Sequence, residues 1–198
     1  MRLFLATGNL HKVEELQAML AAAKLDIEVH TPAVVGGMPE VVEDQDSFSG
    51  NALKKARALS AILPDDGWAL ADDSGLCVDA LGGAPGVYSA RYAGESASDS
   101  DNIDKLLAAL SEVVESDRGA SFQCHLAIVS PHGEEQVFKG ACHGRIIGER
   151  RGEGGFGYDP VFIPNGFELS FAELSSEEKA GLSHRGEAMG KLVSWLKR

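Results

Sequence analysis

The chain has 198 residues, is 44% hydrophobic and carries a formal net charge of −12, so it holds enough apolar material for a sizeable core in one domain or one domain with a lobe. That acidity excludes nonspecific binding along a nucleic-acid backbone, although a local cationic pocket or a metal ion would still admit a small anion. No run of about 18 apolar residues is available for a membrane span, and the basic, long-apolar, small-residue order of a signal peptide is missing, so the expectation is a soluble cytoplasmic protein with no membrane partner.

Residues 2–6 read as a short buried strand and 10–24 as a helix with Val13, Leu16, Leu20 and Ala23 along one face. Strand, tight turn and helix is the opening unit of an α/β domain. Residues 26–30 resemble another strand, and 31–47 form an irregular stretch, first rich in Pro and Gly and then acidic, that is long for a plain connector. A helix fits 48–63, where Phe48, Ala52, Ala56, Leu59 and Leu63 fall at helical spacing before Pro64-Asp65-Asp66-Gly67 ends it. The strand "WALAD" follows, then "DDSG", a short strand from Leu76 to Leu81, and a "GGAPG" loop.

A third helix is expected over about 99–115, with Ile103, Leu106, Leu107, Leu110 and Val114 on one side and Ser and Asp residues for capping at its start. "SFQCHLAIVS", "PHGE" and "EQVFKGACHG" then read as two strands and a turn, with a further strand near "RIIG". Glycine-dense "GEGGFGYDP" precedes the strand "VFIP", and two short helices close the chain, the first with a Ser175/Glu178 capping box. Cys77, Cys124 and Cys142 are widely spaced, without a C-x-x-C pair, and read as buried free thiols. No repeat or composition break marks an independent second domain.

Several short stretches carry chemistry. In "TGNLHK", Thr7-Gly8-Asn9 would end a strand and start a helix, aiming backbone N–H groups and a positive helix end at one spot that Lys12 also reaches. The same residues also make an ordinary turn with Asn9 as cap. In "LADDSGL", Asp72 and Asp73 end an apolar strand; adjacent strand residues face opposite sides, so only one of them serves a given pocket. A strand-end carboxylate suits Mg²⁺, which binds through one or two carboxylates plus substrate phosphates, while Asp-Asp-Ser-Gly is equally good turn chemistry.

Glu40, Glu43, Asp44 and Asp46 precede the second helix, where negative charge complements the helix dipole and one of them could complete a metal site. Lys54, Lys55 and Arg57 follow, any one of which could oppose a polyphosphate if it faced the pocket. In "EGGFGYDP" the glycines permit close approach, Phe156 and Tyr158 offer faces for stacking and Asp159 an acceptor, against the plainer reading of a hairpin loop. Lys179, His184 and Arg185 in "EEKAGLSHRGEA" group donors for carbonyl or phosphate oxygens.

Together, "ATGNLHKVEEL", "FSGNALKKAR", "ADDSGLCVDALGGAPGVYSARYAG", "GGFGYDPVF" and "EEKAGLSHRGEA" resemble the inosine triphosphate pyrophosphatase family, the dITP/XTP pyrophosphatases, in order and spacing over nearly the whole chain. The resemblance implies a single α/β domain, an elongated mixed sheet flanked by helices with two lobes around a deep cleft, acting as a homodimer. It also implies Mg²⁺-dependent hydrolysis of ITP, dITP or XTP to the monophosphate and pyrophosphate. By it, Thr7, Gly8, Asn9, Leu10, His11 and Lys12 match the phosphate-binding turn, Glu43 a metal ligand and Lys55 a lysine near the phosphates. Asp73 matches the metal ligand and general base, with Ser74 touching substrate. Phe156, Gly157, Tyr158 and Asp159 match the base-binding loop, and Lys179, His184 and Arg185 the remaining nucleotide contacts. Gly50 departs from the acidic residue that many bacterial members carry there, which leaves Asp72, Glu43 or water to take its part.

The expected chemistry is attack of water on the α-phosphorus, with Asp73 as base and Lys12, Lys55 and the Thr7–Asn9 turn stabilising the departing pyrophosphate. His184 and Arg185, donating to the C6 carbonyl of a keto-purine, would disfavour adenine. Two rivals are an aspartyl-nucleophile phosphatase, whose two aspartates usually have one residue between them where here they are adjacent, and a nucleotide-sensing module that binds without turnover.

Overall fold

The N-terminal apolar run forms β1 (Arg2–Leu5), flanked by two parallel neighbours, β2 (Glu28–His30) and β3 (Gly67–Val78), in a register that sets Arg2 against Glu28 on one side and Gly67 on the other. In this computed structural model the described residues are 1–7 and 10–198, less the side chains of Leu10, His11, Ser176 and Ala180. The remaining strands are β4 (Gly119–Val129), β5 (Glu135–Ile146) and β6 (Phe162–Pro164), and the sheet order is β2-β1-β3-β4-β5-β6. Because β5 and β6 pair antiparallel while β1 pairs parallel with both of its neighbours, the sheet is mixed. The α/β expectation holds.

The helices are α1 (Leu10–Ala22), α2 (Phe48–Ser60), α3 (Asp99–Ala109), α4 (Ser176–Leu182) and α5 (His184–Leu196). Three begin as their sequences dictate. The Ser47 hydroxyl accepts from Gly50 N–H at the start of α2, and reciprocal capping boxes, Ser98 with Asp101 and Ser175 with Glu178, open α3 and α4. Three helices end earlier than their apolar spacing suggests. Past α1 the backbone turns left-handed at Lys24, and past α2 and α3 it leaves the helix for turns, with a short 3-10 segment at Glu115–Asp117.

Two strand expectations are corrected. "DDSG" is not a turn between two strands: β3 runs unbroken through it for 12 residues. The tetrapeptide continues the strand that β1 pairs at Gly67–Leu70, and both of its aspartates find cationic partners, so its turn preference is overridden. "RIIG" likewise opens no new strand, because β5 continues through Gly144–Ile146 to pair with β6. Cys124 and Cys142 are buried free thiols as expected, whereas Cys77 is only half-buried.

Packing divides the chain into two compact units. The first comprises Met1–Asp73, Cys124–Gly140 and Glu187–Arg198. Its strand alternation sends Leu3, Leu5 and Leu70 to one face, against Leu16 and Leu20 of α1 and Leu192 of α5, and Phe4, Ala69 and Ala71 to the other, against Ala52, Ala56 and Leu59 of α2. The second comprises Ser74–Gln123 and Ala141–Gly186. Its core joins Ile103, Leu106 and Leu110 of α3 to Leu76, Val78, Ile146 and an aromatic group in which Phe122 meets Phe162 edge-on at 4.8 Å and stacks on Phe171 at 5.8 Å.

Candidate active site

The parity of β3 decides where its two carboxylates go. Asp72 shares the side of Leu70 and accepts both of its hydrogen bonds from Lys12 Nζ on α1, at 2.9 and 2.7 Å. Asp73 shares the side of Ala69 and Ala71, facing α2, where Lys55 Nζ lies 3.1 Å from its Oδ1 and Asn51 Nδ2 donates to its Oδ2 at 3.2 Å. The division of labour expected from adjacent strand positions is therefore what the fold builds.

Lys55 is the hub. Its ammonium lies 3.1 Å from Glu43 Oε1 as well as from Asp73, so a carboxylate of the irregular acidic loop and a carboxylate of the central strand converge on one cation. Asn51 and Lys55 stand one helical turn apart, which puts both on the face of α2 that meets Asp73. Burial pushes the Asp73 carboxyl above its usual range; Lys55 opposes the rise, Glu43 adds to it and the Asn51 amide opposes it. Burial also disfavours charge on Lys55, but Asp73 and Glu43 together outweigh that and hold the ammonium above its ordinary value. The other loop charges do plainer work: Asp44 accepts from exposed Lys54 at 2.7 Å.

Beside this group lies a cavity of about 340 Å³ lined by Ala6, Thr7, Lys12, Met38, Pro39, Val41, Glu43, Lys55 and Asp72. Two lysines and two carboxylates in one such space can hold an anion and, with oxygen donors only, a hard divalent cation. Among the described residues no cluster of three or more His, Cys, Asp or Glu side chains forms an all-protein metal cage. A pair of converging carboxylates that leaves further positions to phosphate and water is the donor set Mg²⁺ accepts. Of the turn expected to cradle phosphate, Thr7 and Lys12 line the cavity, while Gly8 and Asn9, and the side chains of Leu10 and His11, lie outside the described residues.

The second unit holds the other predicted residues. Ser74 follows Asp73 on β3, half-buried. In the glycine-rich loop Phe156 is 63% exposed, a free ring face for a flat ligand, and Lys179 Nζ sits 4.9 Å from its centroid. Tyr158 and Asp159 are held by the protein itself. Tyr158 is buried and its hydroxyl donates to Ser89 O at 2.9 Å, so it offers no stacking face. Asp159 is buried too; its Oδ2 pairs with Lys179 and accepts from Phe156 N–H at 2.9 Å, pinning the loop. Gly155 makes that pin possible, because it has a φ of +74° and a Cβ there would stand 2.1 Å from the same carboxylate oxygen. Gly157 N–H donates to Asp99 at 2.7 Å. His184 opens α5, buried, with its ring stacked on Phe122 at 5.2 Å, and Arg185 follows it on the helix.

Residues 3–195 match the family model described as the Ham1 family. The chain belongs to the Ham1 family. Curated proteins named dITP/XTP pyrophosphatase from Opitutus terrae and Leuconostoc mesenteroides are 52% and 44% identical to it, each aligned over 100% of this chain and over 100% and 99% of their own lengths. Among solved structures, a HAM1 protein from Coxiella burnetii superimposes with a TM-score of 0.91 at 38% identity, covering 100% of this chain and 98% of that one. A nucleoside-triphosphatase / dITP/XTP pyrophosphatase from Mycobacterium abscessus gives a TM-score of 0.82 at 42% identity over 97% and 98% of the two chains.

Two features of this Ham1 chain are not drawn from the sequence reading. The Asn51 bond to Asp73 is one; its signal is the four-residue spacing from Lys55 on a helix whose buried face is otherwise alanine and leucine. The other is a half-buried pair in which Ser49 Oγ and His125 Nδ1 lie 2.8 Å apart, with Phe48 edge-on to the imidazole at 5.5 Å. Burial, with help from the charge of Lys139, depresses the His125 pKa from 6.5 to about 4, so the ring is neutral at pH 7.

Proposed function

We propose that this chain hydrolyses the deaminated purine nucleoside triphosphates ITP, dITP and XTP to the monophosphate and pyrophosphate, with Asp73 as the base. The observation that carries the reading is the convergence of Glu43 and Asp73 on Lys55, beside a cavity that Lys12 also lines. Full-length relatives named dITP/XTP pyrophosphatase support the same substrates.

Glu43 and Asp73 are the residues that would hold Mg²⁺, which when bound neutralises phosphate charge and makes phosphorus more electrophilic. The chain's own groups do the rest. Asp73, whose affinity for a proton burial raises, accepts the proton of the attacking water. The water oxygen bonds to the α-phosphorus and the bridge to the β-phosphate breaks. Lys12 and Lys55 oppose the charge that accumulates on the departing pyrophosphate. Asp72, held by Lys12 on the other side of β3, keeps that lysine aimed and is no second nucleophile, which weighs against an aspartyl-phosphate route.

On the second unit, the exposed Phe156 ring is the stacking surface we assign to the base, and His184 and Arg185 the donors to its C6 carbonyl. Adenine presents an amino donor there and would leave those donors unmatched. Family resemblance further supports a cytoplasmic homodimer, which sedimentation of the purified chain tests; no helix among the described residues is long and apolar enough to cross a membrane. The deciding assay offers ITP, XTP, dITP, GTP and ATP with Mg²⁺ and scores pyrophosphate against orthophosphate. Pyrophosphate from the first three, well above the last two, is expected; saturable ITP binding with no pyrophosphate overturns the enzyme reading, and orthophosphate with a trapped phosphoenzyme overturns the mechanism.

A further inference from the structure

We infer that Asn51 is a positioning residue of this site, a buried clamp that orients the Asp73 carboxylate and tethers the Glu43 loop at once; the inference rests on the catalytic reading of Asp73 given above. Asn51 is 0% exposed on a helix face where Ala52, Ala56 and Leu59 pack a hydrophobic core. An amide there is costly unless both of its ends are satisfied. They are, and by different segments. Asn51 Oδ1 accepts from Gln45 backbone N–H at 3.0 Å, and its Nδ2 donates to Asp73 Oδ2 at 3.2 Å. Only one orientation of the amide serves a donor on one side and a carboxylate on the other.

The consequence is geometric. Asp73 is gripped through both oxygens, Oδ1 by Lys55 and Oδ2 by Asn51, so rotation of its carboxylate plane is restrained and its remaining lone pairs point in fixed directions. Gln45 stands two residues from Glu43, and tethering its N–H fixes how that acidic loop approaches α2. Gly50 belongs to the same device, since a Cβ there would meet Gln45 Cβ at 2.8 Å. The absence of a side chain at Gly50 leaves room for Gln45 to pack against the start of α2, from where its N–H reaches Asn51. A base and a metal ligand must hold their directions to within small angles to be effective, which is the work of such supporting residues.

The test pairs Asn51→Ala with Gln45→Pro, which deletes the tethering N–H at an exposed position and leaves the Asn51 side chain in place. In both, kcat for ITP is expected to fall, by about 10–100-fold in Asn51→Ala and less in Gln45→Pro, with KM nearly unchanged. Mn²⁺ titrated into the nucleotide-free protein and followed by electron paramagnetic resonance is expected to bind about tenfold more weakly to Asn51→Ala. A fall in the urea midpoint alone, with kcat and Mn²⁺ affinity at wild-type values in both variants, overturns the positioning role. So does a rise in KM with kcat unchanged. Asp73→Asn run alongside separates the two failures: if it is inactive while Asn51→Ala is fully active, only the clamp is wrong, whereas an active Asp73→Asn removes the catalytic reading and the clamp with it.

Discussion

The two units of this chain solve opposite problems with the same kind of strand-and-helix framework. In the first, four charged side chains, Lys12, Glu43, Lys55 and Asp72, line one cavity beside Asp73, and each carboxylate is balanced by a lysine that a triphosphate could draw on. In the second, the glycine-rich loop is held by side chains turned inward: Asp159 pairs with Lys179, Tyr158 is tied to Ser89, and Phe156 keeps its ring exposed. Charge left at a cavity favours chemistry on an anion, whereas charge buried in mutual pairs favours a rigid surface for recognition. The difference is in where these ion pairs point.

Variants can break that contrast. The largest effect is expected for Asp73→Asn, which removes the base: kcat for ITP should drop by about a thousandfold with nucleotide affinity little altered, as measured by single-turnover kinetics and by calorimetry of the product monophosphate. Next comes Lys55→Met. Losing the shared ammonium leaves Glu43 and Asp73 facing each other, and kcat should fall by about a hundredfold. If Lys55→Met instead changed only KM, the first unit would be a binding site and not a reacting one.

Arg185→Ala sharpens the other half of the comparison. Its kcat/KM for ITP should fall about tenfold or more while that for ATP hardly moves, because adenine has no C6 carbonyl to lose a donor from. Equal losses on the two nucleotides would take base reading away from the second unit. Tyr158→Phe is gentler: it deletes a buried hydroxyl donor to Ser89 O and should destabilise by about 1 kcal/mol in urea unfolding, with the ITP-to-ATP preference kept.

The last test, which leaves the proposed chemistry untouched, concerns the neutral imidazole of the first unit. His125 has its pKa depressed from 6.5 to about 4, so between those values the unfolded chain takes up a proton that the folded chain refuses. Stability contributed by this residue is complete above pH 6.5, declines as pH falls from 6.5 toward about 4, and declines no further below that. Urea midpoints of His125→Phe should therefore lose less than those of the wild type over that interval. Parallel curves would show that folding leaves the proton affinity of the imidazole unchanged.

Much of the frame was legible from local pattern. Helical spacing located α1, α2 and α3 to within a turn or two, Ser175 with Glu178 announced the start of α4, and the two-residue period of a strand separated Asp72 from Asp73 before any contact was known. Each of these is a property of a few consecutive residues, and short-range sterics and hydrogen bonding suffice to specify it. What pattern missed was always non-local. The "DDSG" stretch has the local chemistry of a turn, yet it continues a strand set in the middle of the sheet, and two lysines hold its aspartates. The hold of Ser89 on Tyr158 and of Lys179 on Asp159 likewise joins residues 69 and 20 positions apart.

From the sequence alone, then, came the α/β class, the order of the elements and the inventory of groups able to handle an anion. Tertiary structure decided the pairing: Lys12 with Asp72 across 60 positions, Lys55 with Asp73 across 18, and Asn51 between Asp73 and Gln45. A carboxylate carries no local preference for one lysine over another. Its partner is settled by which helix the apolar faces bring alongside its strand, and in this chain packing of α1 and α2 on opposite faces of β1 and β3 made that choice.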